Sequence, residues 1–385
     1  MTRVFNAVAA TLAAGTLVGI VLLWPGHVAS QLAQGVLVDS DKAEVEKVEE
    51  EICPGFAEQK CQDATVRLES GPDAGKRVHI QLGTTGAFDP DLDPGDDIQV
   101  TEAPKPPSGA PAVAGTGYSL YDFERRQPML LLAALFVIVV LVFARLRGAL
   151  SLAGLGISLV IVLLFVVPAI LDGSSPLVVA VVGSLAVAFV TIPLAHGWGP
   201  KSLAALLGTA ASLLLTAALA LLFTDLTHLT GFSSEEATFL QLAQSNISLQ
   251  GLLLAGMVIG ALGVLDDVTI SQASTVLALR RANPLLGMRD LFGRAMQVGR
   301  DHVSATVNTL VLAYVGAALP VLLIFSAADL SVSDVVNLEI VAKEIVAMLV
   351  GSIGLIAAVP LTTGLAALLA LGEAPERIPE EAHSH

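Results

Sequence analysis

Charge is scarce in this chain: 14% of its 385 residues are Asp, Glu, Lys or Arg, against roughly 25% in an ordinary soluble domain. With 54% apolar residues, that shortage excludes a water-soluble enzyme, a disordered regulator and a coiled coil. Basic residues are the scarcer sign. Twenty Lys and Arg stand against 35 Asp and Glu, a net charge of −15, so nucleic acid, whose phosphates need a basic surface, is not an expected partner. Cysteine occurs twice, too rarely for a disulfide scaffold or a Cys-rich metal site. No Ser/His/Asp arrangement, phosphate-cradling glycine loop or zinc signature is found, so neither enzyme chemistry nor a metal or cofactor is expected. The apolar runs also lack the ten-residue alternation of a membrane barrel.

What the chain does have is long apolar stretches. A hydrocarbon layer about 30 Å thick takes about 20 helical residues. Eight segments fit or nearly fit: Val4–Trp24, Met129–Ala144, Ala149–Leu171, Pro176–Ala195, Ser202–Phe223, Ile247–Leu265, Val303–Ser326 and Ile345–Leu371. The first is readable as a cleaved leader, because Arg3 precedes it and small residues follow at Ala29 and Ser30. Its length favours an uncleaved anchor over residues 1–24, since a leader core runs to about 15 residues. Short-loop basic residues stay cytoplasmic. Arg145, Arg147, Lys201, Arg280, Arg281, Arg289, Arg294 and Arg300 fall on one side if the first helix runs outward. Arg125, Arg126 and Lys343 are the exceptions. The expectation is a multi-pass protein of a bacterial plasma membrane with both termini cytoplasmic, the acidic tail being residues 372–385. Pro168, Pro193, Pro320 and Pro360 should kink the spans that hold them.

Residues 25–120 are polar, with 17 acidic and 7 basic residues, and form a small extracytoplasmic β-rich domain plus linker. Ala64–Leu68 and Val78–Leu82 alternate as strands around a Gly71–Gly75 turn, and Asp97–Thr101 is a third strand after Pro94-Gly95-Asp96. An OB-like barrel is one outcome of that order. Glu44–Glu51, with Val45, Val48 and Ile52 at helical spacing, reads as the wet face of an amphipathic helix. Residues 103–111 read as a Pro-rich linker. Cys53 and Cys61 are expected to form a structural disulfide on the oxidising side. The run from Asp89 to Asp97 imitates a calcium loop, but its glycine stands one position late and position 12 is Val100. A solvated acidic turn is the better reading.

Polar groups inside or beside a span are costly and therefore mark candidate sites. The sixth span carries a small-residue stripe, Gly251, Gly256, Gly260 and Gly263, which helix packing explains. At its end Asp267, Ser271 and Ser274 share a helical face. Asp266 and Asp267 are readable equally as part of a site or as caps of a new helix. Leu285–Gly299 reads as an in-plane interfacial helix. After it, Asp301, Ser304 and Asn308 share a face entering the seventh span, with His302 beside them. Asn308 needs a partner at that depth. A seam joining the Asp267 face to the Asn308 face would supply one and would serve as a proton or cation path. An interhelical hydrogen bond is the plainer alternative.

Gly263–Thr275 and the stretch GRDHVSATVNTLVLAYVGAALP, Gly299–Pro320, resemble the two signature stretches of YibE/F family membrane proteins. Tyr121–Arg125 resembles the segment before that family's core. The resemblance spans residues 121–371 and implies a seven-helix bacterial membrane core, described in the family as a transporter. By matching motif it brings forward Asp266, Ser271, Arg300, Asn308, Thr309 and Tyr314, with no catalytic assignment. The fold class expected is an α-helical polytopic membrane protein of about eight spans with a small outer domain. The function expected is transport of an unidentified small solute or ion across the lipid bilayer, with proton coupling as an option. The alternative is a non-transporting scaffold or envelope assembly factor whose outer domain binds an envelope protein.

Overall fold

The computed structural model describes residues 2–26, 39–52, 60–82, 90–102, 117–233, 235–243, 247–328 and 330–372. The chain divides into two compact units, residues 30–143 and residues 1–29 with 144–385.

In the first unit five strands, β1 (Asp41–Ile52), β2 (Lys60–Leu68), β3 (Arg77–Leu82), β4 (Asp97–Glu102) and β5 (Tyr118–Phe123), form one antiparallel sheet. The order is β3-β2-β1-β4-β5. Alternation drives it: Ala64, Val66, Leu68, Val78, Ile80, Ile98 and Val100 point to one buried face. The edges β3 and β5 approach one another, so the sheet curls into a half-barrel. No strand pairing joins them among the described residues, and the full closure of an OB-like barrel is not reached. The β2–β3 turn needs glycine, with Gly71 at φ +83° and Gly75 at φ +86°. The expected helix over Glu44–Glu51 is instead part of β1. A bulge between Val45 and Lys47 breaks the alternation and produces the helix-like spacing of Val45, Val48 and Ile52. Cross-strand charge also favours the strand, because Glu46 meets Arg77 at 2.6 Å and Arg67 at 3.4 Å. β5 carries no strand signal beyond its aromatics and was absent from the sequence expectation. Cys61 is buried on β2. Cys53 and the linker at 103–111 lie outside the described residues.

Helices make up the rest. They are α1 (Thr2–Leu22), α2 (Arg126–Ile161), α3 (Val167–Leu171) after a π-helical turn at Val162–Val166, α4 (Pro176–His196), α5 (Pro200–Leu226), α6 (Glu235–Ala243), α7 (Leu249–Ala282), α8 (Met288–Ala317), α9 (Leu319–Ala327), α10 (Val332–Asn337) and α11 (Glu339–Gly372). Among the described residues six helices are long and apolar enough to cross a membrane, or seven when the bent pair α8–α9 counts as one span. The chain is therefore a membrane protein by its helices. One of the six is a 46-residue run from Arg126 to Leu171, broken at Arg145, where φ is 50° and ψ is −127°. Proline sets other boundaries. Pro176 and Pro200 open α4 and α5, and Pro320 opens α9 next to the 60° bend. Pro193 and Pro360 are absorbed within α4 and α11.

The centre of the second unit is the packing of α5, α7 and α11. Glycine and threonine key α5 to α11 reciprocally. A Cβ on Gly208 would overlap Thr362 Oγ1, and one on Gly354 would overlap Thr216 Oγ1. Two notches eight residues apart on each helix, matched in reverse order, fix an antiparallel pair at close approach. Thr362 itself, and Ser212 and Ser352 beside the notches, are buried hydroxyl residues.

Candidate functional site

α7 begins where Ser248 accepts a hydrogen bond from the Gly251 N–H at 3.0 Å. It ends at Asn283 and Pro284, after 34 residues. The helix runs on past the expected span end at Leu265, since Val268, Ile270, Ala273, Val276 and Leu277 continue a buried stripe for about three further turns. Asp266 and Asp267 therefore cap nothing: Asp266 lies midway along the helix. Its Oδ1 is enclosed and has no hydrogen-bond partner among the described residues. Asp267, one position around the helix, is exposed. It continues the stripe of Gly256, Gly260 and Gly263, whose own flank is open rather than packed. A Cβ on Gly256 or Gly263 would meet nothing within 4 Å, and one on Gly260 only the Tyr314 hydroxyl at 4.0 Å. Packing within the chain thus does not account for those glycines. Ser271 is half-buried. Ser274 is satisfied locally by the Ile270 carbonyl at 2.7 Å.

The in-plane helix expected over Leu285–Gly299 and the seventh span are one continuous helix, α8, with no break between Gly299 and Val303. Arg280 closes the α7–α8 connection by donating to the Leu286 carbonyl at 2.9 Å. α8 lays Leu291, Ala295 and Gly299 against its neighbours, followed by Met296, Val303, Val307 and Leu310, which pack with Val268 of α7 and Leu355 and Val359 of α11. Asp301, Ser304 and Asn308 do share a face, but it is the opposite one. All three are exposed, as are Arg300 and Thr309. The expected seam between the Asp267 face and the Asn308 face is therefore not formed within the chain. His302 and Tyr314 are half-buried, and His302 Nε2 is an enclosed atom without a partner among the described residues.

The polar residues that the fold does bring together are others. Thr269 and Thr209 of α5 share a buried hydrogen bond of 2.7 Å, and Thr269 also donates to the Asp266 carbonyl at 3.1 Å. One turn on, buried Gln272 donates to the Ala295 carbonyl of α8 at 2.9 Å and to Thr363 Oγ1 of α11 at 2.7 Å. Gly299 makes room for this crossing, since its Cβ would stand 3.0 Å from Gln272 Oε1 and 2.5 Å from Val359 Cγ1. Thr269 and Gln272 lie inside a sequence stretch rich in Asp and Ser and were passed over. The signal that marks them is polarity at i and i+3 on the side otherwise carrying buried Leu265, Val268 and Val276. The result is a polar layer linking α5, α7, α8 and α11 next to Asp266. Among the described residues no group of three or more His, Cys, Asp or Glu could hold a metal ion.

At the start of α2 the sheet is tied to its helix. Glu124 accepts from the Arg126 N–H at 3.0 Å and from Gln99 Nε2 at 3.2 Å, with Lys42 at 3.6 Å. The Arg126 N–H foremost, against the opposing effect of burial, holds the Glu124 carboxyl below its ordinary range. Asp122 is held low likewise, first by the Arg125 guanidinium at 2.7 Å and then by the Phe123 N–H. Arg125 also lies over the Phe123 ring, 5.6 Å from its centroid.

Residues 132–372 match the family model described as YibE/F-like protein. The match includes α7, α8, the Gln272 crossing and Asp266, and it covers more than half of the chain. No curated protein and no solved structure matches the chain. Apolar helices in this order, and a family match running through the polar layer at their centre, lead to one assignment: the chain belongs to the YibE/F-like family.

Proposed function

We propose that this protein is a membrane carrier or channel for a small solute or cation, with Asp266 as the group that the moving species meets. One observation carries the reading: a carboxylate oxygen midway along a 34-residue apolar helix is enclosed without a partner. A carboxylate oxygen withdrawn from water without a partner is costly. A fold that keeps it, beside a polar layer of Thr209, Thr269 and Gln272, has a use for it. Proton coupling fits a carboxylate there, with the enclosed His302 imidazole as a second polar group on α8. No bond-breaking step is required of any residue, so the reading is non-enzymatic.

The topology that goes with it has eight crossings and both termini in the cytoplasm of a bacterium. The Arg126–Leu171 run would be about 69 Å long as one helix, more than twice the hydrocarbon thickness, and the Arg145 break supports two crossings. A Cβ on Gly372 would stand 3.5 Å from Thr2 Oγ1, which supports placing the two ends on one side. The Gly26 N–H reaches Asp172 Oδ2 at 3.1 Å, which supports placing the ends of α1 and α3 on the other. The strand domain is then extracytoplasmic, where a Cys53–Cys61 bridge would persist.

Purified protein in liposomes, loaded with a pH-sensitive dye and tested against monovalent cation and proton gradients, tests the carrier. Flux that depends on the protein and is abolished by Asp266→Asn supports it. A second reading, a scaffold whose outer domain holds an envelope partner, is favoured by the acidic five-stranded domain clamped to α2 at Glu124. Site-specific crosslinking from β3 that captures one stable partner, with no flux in liposomes, would support that reading instead.

A further inference from the structure

Beyond Asp266 the second unit contains a cavity of about 530 Å³ where α8, α9, α10 and α11 meet. Its origin is the 60° bend between α8 and α9, which turns α9 away from α11 and leaves a wedge. The wall is apolar, with Val311, Leu322, Phe325 and Val336 among its residues, except for three side chains: Tyr314 of α8, Ser326 of α9 and Glu344 of α11. No basic residue lines it. Glu344 has an ion partner in Lys343, whose ammonium stands 3.9 Å away, at the outer limit of an ion pair; Lys343 does not itself line the cavity. The volume falls within the range of about 300–1,000 Å³ typical of small-molecule sites.

We propose that this cavity binds a lipophilic monovalent cation, an amine or quaternary ammonium with a bulky apolar body. The carboxylate of Glu344 supplies the charge that the cation meets. The rings of Tyr314 and Phe325 offer faces to the same cation. The remaining wall takes the apolar body, and a carboxylate with no basic residue in the lining disfavours anions. Tyr314, which lines this cavity, also approaches the open glycine flank of α7, its hydroxyl 4.0 Å from where a Cβ on Gly260 would stand. The proposal does not rest on the carrier reading.

The test is equilibrium dialysis of tetraphenylphosphonium against the full chain in detergent micelles, with tetraphenylborate, of matching shape and opposite charge, dialysed in a separate cell as the control for charge. Saturable one-to-one binding is expected. Glu344→Gln should weaken it by about tenfold or more, the scale of losing one opposite charge in an apolar wall, whereas Tyr314→Phe, which keeps the ring, should change it by less than about twofold. Leu322→Trp fills the cavity while leaving the carboxylate and should abolish binding. It also serves as the deciding variant should Glu344→Gln elute as aggregate. Asp266→Asn should retain full binding, so loss of flux and loss of this site are separable. Absence of saturable binding, equally tight binding of tetraphenylborate, undiminished binding in Glu344→Gln and Leu322→Trp, or loss of binding in Asp266→Asn would each overturn the proposal.

Discussion

Replacing Gly354 by alanine tests the keyed contact between α5 and α11 most sharply. The new methyl would occupy the space of Thr216 Oγ1. Thr216 is fully buried, and its hydroxyl is held by the Ser212 carbonyl at 2.8 Å, so it has nowhere to swing. Overpacking of this kind costs about 1–3 kcal/mol. Thr216→Ala alone removes one methyl and one hydroxyl, a loss of about 1 kcal/mol. In the double variant the added methyl faces the Thr216 Cβ position at 3.3 Å, a tight contact but no overlap. The two substitutions should therefore be non-additive, the pair being more stable than their sum by about 1–2 kcal/mol. SDS titration of the purified protein in mixed micelles, following loss of helicity, reads that coupling. Strict additivity, with the double variant less stable than Gly354→Ala, would refute the argument that Thr216 Oγ1 fills the Gly354 notch.

Gln272→Leu should lower stability in the same titration by about 1 kcal/mol, two interhelical bonds at about 0.6 kcal/mol each, and no change would show that the Ala295 and Thr363 contacts are not made. Asn308→Leu, on the exposed face of α8, should alter the stability of the isolated chain by less than about 0.5 kcal/mol; a loss above 2 kcal/mol would mean that Asn308 has a partner within the chain. The strand domain should weaken in acid. The folded carboxyls of Glu124, Asp122 and Asp73 are held below their ordinary values, so their contribution is present above the unfolded carboxylate range and is lost as pH falls through the folded values, below about pH 4. Hydrogen exchange of β1 and β4 amides between pH 7 and 3, corrected for intrinsic rates, follows this, and weakening centred on pH 6–7 would instead implicate histidine.

Composition and proline placement made much of the architecture legible. Pro176 stands where a helix starts, Pro320 lies at the 60° bend of the span it was expected to kink, and the alternation in Ala64–Leu68 and Val78–Leu82 gave two strands and their turn. Where the reading failed, a local pattern had two physical solutions. The spacing of Val45, Val48 and Ile52 suits a helix, but also a strand with a bulge, and the choice was made by Arg67 and Arg77 on neighbouring strands. Counting about 20 residues from Ile247 stopped the sixth span at Leu265, because length alone says where a membrane is filled, not where a helix ends. The site was read in the same way. Periodicity correctly put Asp301, Ser304 and Asn308 on one face, yet it cannot say which face meets a neighbour. Packing of Gly299 against Gln272 and Val359 turned that face outward. The conspicuous carboxylates and amide drew attention from Thr269 and Gln272, which the fold buries and pairs.

The central claim is that the enclosed carboxylate of Asp266 serves movement through the membrane, whereas its exposed neighbour does not. Protein-dependent flux should be compared in liposomes bearing the unaltered chain, Asp266→Asn and Asp267→Asn at equal, verified incorporation. The account predicts abolished flux in Asp266→Asn and at least about half of the original rate in Asp267→Asn, since an exposed carboxylate is readily replaced. Undiminished flux in Asp266→Asn, or loss confined to Asp267→Asn, would contradict it.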